Sequence, residues 1–263
     1  MERGTLKPMK NLSMWGTAFA MAIMASVPAA HADEAQAKEI FKAMSDYMAA
    51  QQAISFDYDT SFEIVTTDDQ KVALASSGTV TLSRPDKLRT TRTGGFADVE
   101  MVFDGKTVSL LGKNANLYAQ AEAPGTIDNL VDVLRDKFKK PLPGADLLSS
   151  DVNGALMPLV TGVKDLGSGV IRGQECDHLA FRTAEVDWQI WIAQGDRPYP
   201  CRFVVTTKDV TGWPQYTVDV RNFKTGADVA ADDFVFKAPA GAQKLKEGEF
   251  PDVDELPAAF APK

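Results

Sequence analysis

Ile54-Ser55-Phe56-Asp57-Tyr58-Asp59-Thr60-Ser61-Phe62-Glu63-Ile64 decides the fold. Phe56, Tyr58, Thr60, Phe62 and Ile64 alternate with Asp57, Asp59, Ser61 and Glu63. The period is two, so the segment is a strand with one apolar and one wet face. Toward the C-terminus, 72–83 repeats the pattern, with Val80 and Leu82 inward and Thr79, Thr81 and Ser83 outward. Arg84-Pro85-Asp86 ends it, because proline has no N–H for the ladder. Short strands follow over 88–93, 99–103, 108–111 and 117–120, and Asp104-Gly105 between two apolar runs signals a hairpin. Alternation returns over 163–172, 176–183, 186–193, 201–207, 215–223 and 234–237. Toward the N-terminus, 35–52 reads as a helix, with Ala37, Ile40, Phe41, Met44, Tyr47 and Met48 on one stripe. A second helix is predicted over 126–138, with Thr126 as N-cap, an apolar face of Ile127, Leu130, Val131, Leu134 and Phe138, and a stop at Pro141 and Pro143. A less regular helical stretch covers 145–159. Mostly antiparallel strands with helices at the start and in one central insertion define an α+β fold, a curved sheet carrying helices on one face.

The chain has 263 residues, 28 Lys+Arg against 36 Asp+Glu, and two histidines. A net charge of −8 without a basic block argues against nucleic acid and anionic membrane surfaces as partners. Arg3, Lys7 and Lys10 precede an uncharged apolar run from Leu12 to Val27, and Ala30-His31-Ala32 supplies a small-residue cleavage site. The run is shorter than the roughly 20 residues of a membrane span and reads as a secretory signal cleaved after Ala32. The expected organisation is a signal over 1–32, a single domain over 33–240 and a loose tail over 241–263, with the product in the periplasm.

Cys176 and Cys201 both remain after cleavage. An even count in an oxidising compartment points to one disulfide between them. In a simple meander they lie two inter-strand spacings of about 4.8 Å apart, so the 194–200 loop must carry Cys201 around the end of the middle strand. Chemical motifs are missing. There is no G-x-S-x-G, no phosphate-cradling loop and no dinucleotide fingerprint. His178 sits mid-strand and reads as structural. Asp57 and Asp59 fall on the wet face as solvated charges. Asp252-x-Asp254-Glu255 lacks the glycine of a calcium loop. The expectation is a protein that is not an enzyme, with no cofactor and no metal.

Several segments together resemble the periplasmic lipoprotein-carrier family of the LolA type and its outer-membrane receptor relatives of the LolB type. They are Gly78 to Arg89 with its Arg-Pro corner, Phe103 to Val108, and Tyr216 to Phe223 followed by Phe234 to Gly241. The stretch holding Gly173, Cys176, His178, Trp188, Trp191 and Pro200 is similar to a related group of bacterial periplasmic proteins of unassigned function. The resemblance implies an unclosed half-barrel of about eleven strands, with helices over its concave face and an apolar ligand cavity between. The lining would be Phe56, Tyr58, Phe62, Val80, Leu82, Met101, Phe103, Leu130, Leu134, Trp188 and Ile190. The alternation alone favours the plainer reading, a dry core of Phe56, Tyr58, Phe62, Met101, Phe103, Leu130, Trp188 and Ile190, and the resemblance brings the cavity level with it. The resemblance also assigns Arg84 to latching the helical cover. The implied function is a monomeric, non-enzymatic carrier of a lipid, a lipoprotein acyl moiety or another hydrophobic molecule. The alternative is a sensor whose half-barrel binds an envelope protein.

Overall fold

The computed structural model describes residues 34–246 and 249, apart from 96 and 139–143. The signal, its cleavage site, Pro141, Pro143 and the acidic tail motif lie outside these residues. Helix α1 (Glu34–Ala50) leads into β1 (Ala53–Val65), β2 (Lys71–Ser83), β3 (Lys87–Gly94), β4 (Asp98–Phe103), β5 (Thr107–Gly112) and β6 (Leu117–Glu122). Two short helices follow, α2 (Ile127–Asp132) and α3 (Val152–Leu156). The chain continues through β7 (Gly162–Ile171), β8 (Gln174–Arg182), β9 (Val186–Ala193), β10 (Pro200–Thr207), β11 (Gln215–Thr225) and β12 (Gln243–Lys244). All twelve strands form one sheet in the order β12-β6-β5-β4-β3-β2-β1-β11-β10-β9-β8-β7. It stays unclosed, an α+β half-barrel with β7 and β12 at its edges, and β12–β6 is its one parallel pair among the described strands.

The register puts the decisive alternation to use. Ile54, Phe56, Tyr58, Thr60, Phe62 and Ile64 pair with Leu82, Val80, Gly78, Ser76, Leu74 and Val72, all on the inner face. At the start of β1 this face is a continuous core: Ile54, Leu82, Leu88, Phe103, Val108 and Ala121 stand side by side across six strands and are all buried. Helix α1 buries Ala37, Phe41, Met44 and Met48 of the predicted stripe, and Ser45 beside it, while Ile40 and Tyr47 are half-buried; Phe41 packs against Phe181 and Trp188 at 5.1 and 5.3 Å between ring centroids. Gly78 is required by a close approach. A Cβ there would stand 2.0 Å from the Thr91 carbonyl oxygen and 2.6 Å from the Tyr58 ring, which crosses this gap to donate its hydroxyl to Thr91 O at 2.8 Å.

Three expectations are corrected. The predicted helix over 126–138 is α-helical over Ile127–Asp132 and then widens into a π-turn over Val133–Lys137. Thr126 does cap it, accepting from the Asn129 N–H. The predicted strand over 234–237 makes no ladder. Asp232 accepts from the Arg89 guanidinium at 2.7 Å, Phe234 is buried and Phe236 packs on Tyr118, so the alternating aromatic residues strap the chain to neighbouring strands without pairing. The tail expected to be loose from 241 is tied down as far as Leu245: β12 pairs with β6, and Leu245 N–H bonds Tyr118 O at 2.8 Å.

Candidate functional site: the inner face of the half-barrel

The inner face divides into a closed base and an open mouth. At the base, Leu82, Phe103, Leu130 and Ile190 are fully buried, and Trp188, Leu134, Met101 and Val80 nearly so. The helices and sheet pack here without a gap for these side chains. Phe56 is half-buried, stacked on Phe223, and marks the boundary. Toward the mouth the cover thins over Tyr58 and Phe62, although Thr60 between them and Ile64 beyond them are buried. Tyr58 is half-buried, and Phe62 is 44% exposed with its ring against Tyr216 at 6.2 Å. Leu74, Tyr216, Val218 and Val205 continue the same floor and are half-buried. None of these four was among the predicted site residues, although the alternation along β2, β10 and β11 carried them.

Polar groups stand within this apolar floor. Thr60 Oγ1 and Ser76 Oγ are 2.6 Å apart. Burial pushes the Tyr58 phenol up, and the nearby Arg92 charge opposes the shift. Burial pushes Tyr216 up to about 12, with Tyr58 adding to the shift and Arg92 again opposing it.

Arg84 lies at the base, where β2 ends. Its N–H donates to Gln52 O at 2.8 Å, and its Nη2 to Ser149 O at 3.2 Å and, more weakly, to Met48 O at 3.5 Å. It thus joins the sheet to the last turn of α1 and to the 3-10 turn over Ala145–Leu148. Its Nε is buried with no partner, and burial lowers its pKa against the opposing charge of Asp128.

The outer face neutralises its charges. Asp59 bonds Ser77, Arg172 and Arg221, and these contacts, the Ser77 hydroxyl first, hold its carboxyl below the usual range. His178 stacks on Trp191 at 3.9 Å, its Nε2 lies 2.9 Å from Gln189 Oε1, and burial lowers its pKa. The disulfide expected between Cys176 and Cys201 is not made in the structure: both are free thiols, buried in one small cluster with Ile171 and Ala193. Strand β9 runs between their strands. The two come together only because the ladder slips between Pro200 and Arg202 at the strand's end, and each sulfur faces a carbonyl two residues away, Gln174 O and Tyr199 O. Among the described residues no helix is long and apolar enough to cross a membrane, and no cluster of metal-ligating side chains occurs.

The half-barrel over residues 37–246 matches the family described as "Predicted periplasmic protein (DUF2092)", and the chain belongs to this family. The resemblance to a group of bacterial periplasmic proteins is borne out. No curated protein gives a match. Among solved structures the chain is similar to LprF from Mycobacterium bovis, at 11% identity and a TM-score of 0.48, covering 78% of this chain and 100% of that one. An uncharacterised conserved protein from Thermus thermophilus gives 14% and 0.46, covering 80% and 98%. The MucA/MucB complex of Pseudomonas aeruginosa gives 12% and 0.44, covering 77% of this chain and 62% of that one.

Proposed function

We propose that the protein is a non-enzymatic periplasmic carrier of a lipid, a lipoprotein acyl moiety or another hydrophobic molecule, exported by a signal cleaved after Ala32. The observation that carries this reading is the apolar inner face running out past its helical cover. Phe62, Leu74, Tyr216 and Val218 form a floor that nothing among the described residues fully buries. An acyl chain laid along it gains about 0.8 kcal/mol per methylene removed from water, so affinity needs no polar motif. Arg84 serves as the latch between the sheet and the helices. The second reading, a protein partner, is favoured by Trp213, 60% exposed beside the exposed Val210 in the loop between β10 and β11. Native mass spectrometry of protein purified from the periplasm separates them. The carrier reading expects bound lipid on a monomer. An empty chain in stoichiometric complex with a second protein would sink it in favour of the partner.

A further inference from the structure

The inner floor is apolar with one charged exception. Among the described residues of β1–β6 and β9–β11, Arg92 is the one charged side chain that the register places on the inner face. It stands opposite Gly78 on β2 and Val99 on β4, in the row that also holds Tyr58 and Val220. Every other charged residue of these strands falls on the outer side of its ladder. Arg92 is half-buried and lies at the open mouth, close enough to Tyr58 and Tyr216 for its charge to act on both phenols.

We propose that the mouth takes a single-chain amphiphile with an anionic head group, a carboxylate or a phosphate. The head group pairs with Arg92, and the chain lies along Phe62, Leu74 and Val218. The inference rests on the carrier reading above and specifies its ligand class. Three physical points support it. A guanidinium offers five donors in a planar fork that matches carboxylate and phosphate oxygens. Arg92 already takes part in contacts within the chain, and five donors allow it to serve a further acceptor. The space at the glycine opposite is filled by the Tyr58 ring, which brings no competing charge, and the low-dielectric floor strengthens a charge pair relative to water. The net charge of −8 does not oppose such a ligand at close range, because the strand carboxylates lie on the outer face, several of them paired with arginine and screened by solvent.

The test is a fluorescence titration of the full mature chain with a dansyl-labelled undecanoic acid and with its methyl ester. The acid is expected to bind about tenfold tighter than the ester at low salt, with the difference shrinking as salt rises. Arg92→Met should bring the acid to the ester's affinity and leave the ester unchanged; Arg92→Lys should retain part of the preference. Displacement of the acid by dodecanoate rather than dodecyl phosphate assigns a carboxylate head, and the reverse order a phosphate. Equal binding of acid and ester to the wild-type protein overturns the head-group proposal and leaves the carrier reading standing. Binding of neither overturns both. The wild-type comparison decides the matter even if the Arg92 variants fail to fold.

Discussion

Arg84 shows how much one side chain can hold. Its guanidinium reaches Ser149 O and Met48 O, carbonyls 65 and 36 residues away in sequence, each near the end of a helical turn. Such ends leave carbonyls without intrahelical partners, and an arginine fork suits them. The cost is also visible, since Nε is buried without an acceptor. Arg84→Leu removes two bonds but also that unmet donor, so its effect on fold stability should stay near about 1 kcal/mol. Its effect on the helical cover should be larger in kinetics: release of a bound fluorescent fatty acid is expected to speed up about tenfold, the equivalent of about 1.4 kcal/mol. Stopped-flow displacement measures this, and an unchanged off-rate would remove Arg84 from the latch. The Arg-Pro corner was legible in the sequence. Its acceptors were not, because carbonyl positions at helix ends leave no trace in side-chain pattern.

The elements divide into those whose periodicity named their partners and those whose periodicity did not. The stripe on α1 and the alternation along β1 predicted which residues face inward, though Ile40, Tyr47, Phe56 and Tyr58 are only half-buried and Phe62 is 44% exposed. The segment 234–237 carried the same period-two signal, yet it packs as a strap, since alternation reports which side chains face inward and is silent on whether a ladder forms. Its hold is ionic. Arg89 donates to Asp232 at 2.7 and 3.1 Å and to Val235 O at 3.3 Å, and it also pairs with Glu100. The Arg89 bond is the main cause of a lowered Asp232 pKa, so the clamp contributes stability that is fully present above the usual carboxylate range. That contribution is lost as pH falls through the lowered folded value. Arg89→Ala should cost about 1–3 kcal/mol, the range for a hydrogen bond to a charged group. Amide exchange should then accelerate over 232–245 at neutral pH while β1 and β2 stay protected. Acidification of the wild-type protein should loosen the same segment before the core. Uniform exchange along the chain in either experiment would mean that the strap is not held by this pair.

At the scale of the whole molecule, one sheet performs two tasks along its length. Near the start of β1 it is a sealed core; around Tyr58 and Phe62 it is a half-covered floor, and it is buried again at Ile64. The fold was legible because alternation survives in nearly every strand, whereas the division between base and mouth was not, because Phe56, Phe62 and Leu82 share a period and differ only in what lies above them. The pattern favoured a dry core and only the resemblance brought a cavity level with it; the structure places Leu82, Leu130 and Ile190 in the core and Tyr58 and Phe62 on the open floor. Mutations should therefore separate the tasks. Leu130→Ala deletes a fully buried side chain and should cost about 2–5 kcal/mol in denaturant unfolding of the delipidated protein. Phe62→Ala removes a ring already 44% exposed and should cost well under that. It should instead weaken an apolar probe about tenfold, since the ring's remaining area is what a bound chain would cover. If the helices act as a lid that lifts from the base, Leu130→Ala will cost less than a core deletion and will also weaken the probe. If Phe62→Ala leaves probe affinity untouched while Leu130→Ala shows its full core cost, the inner face is a packed core with a ragged edge, and the carrier reading fails.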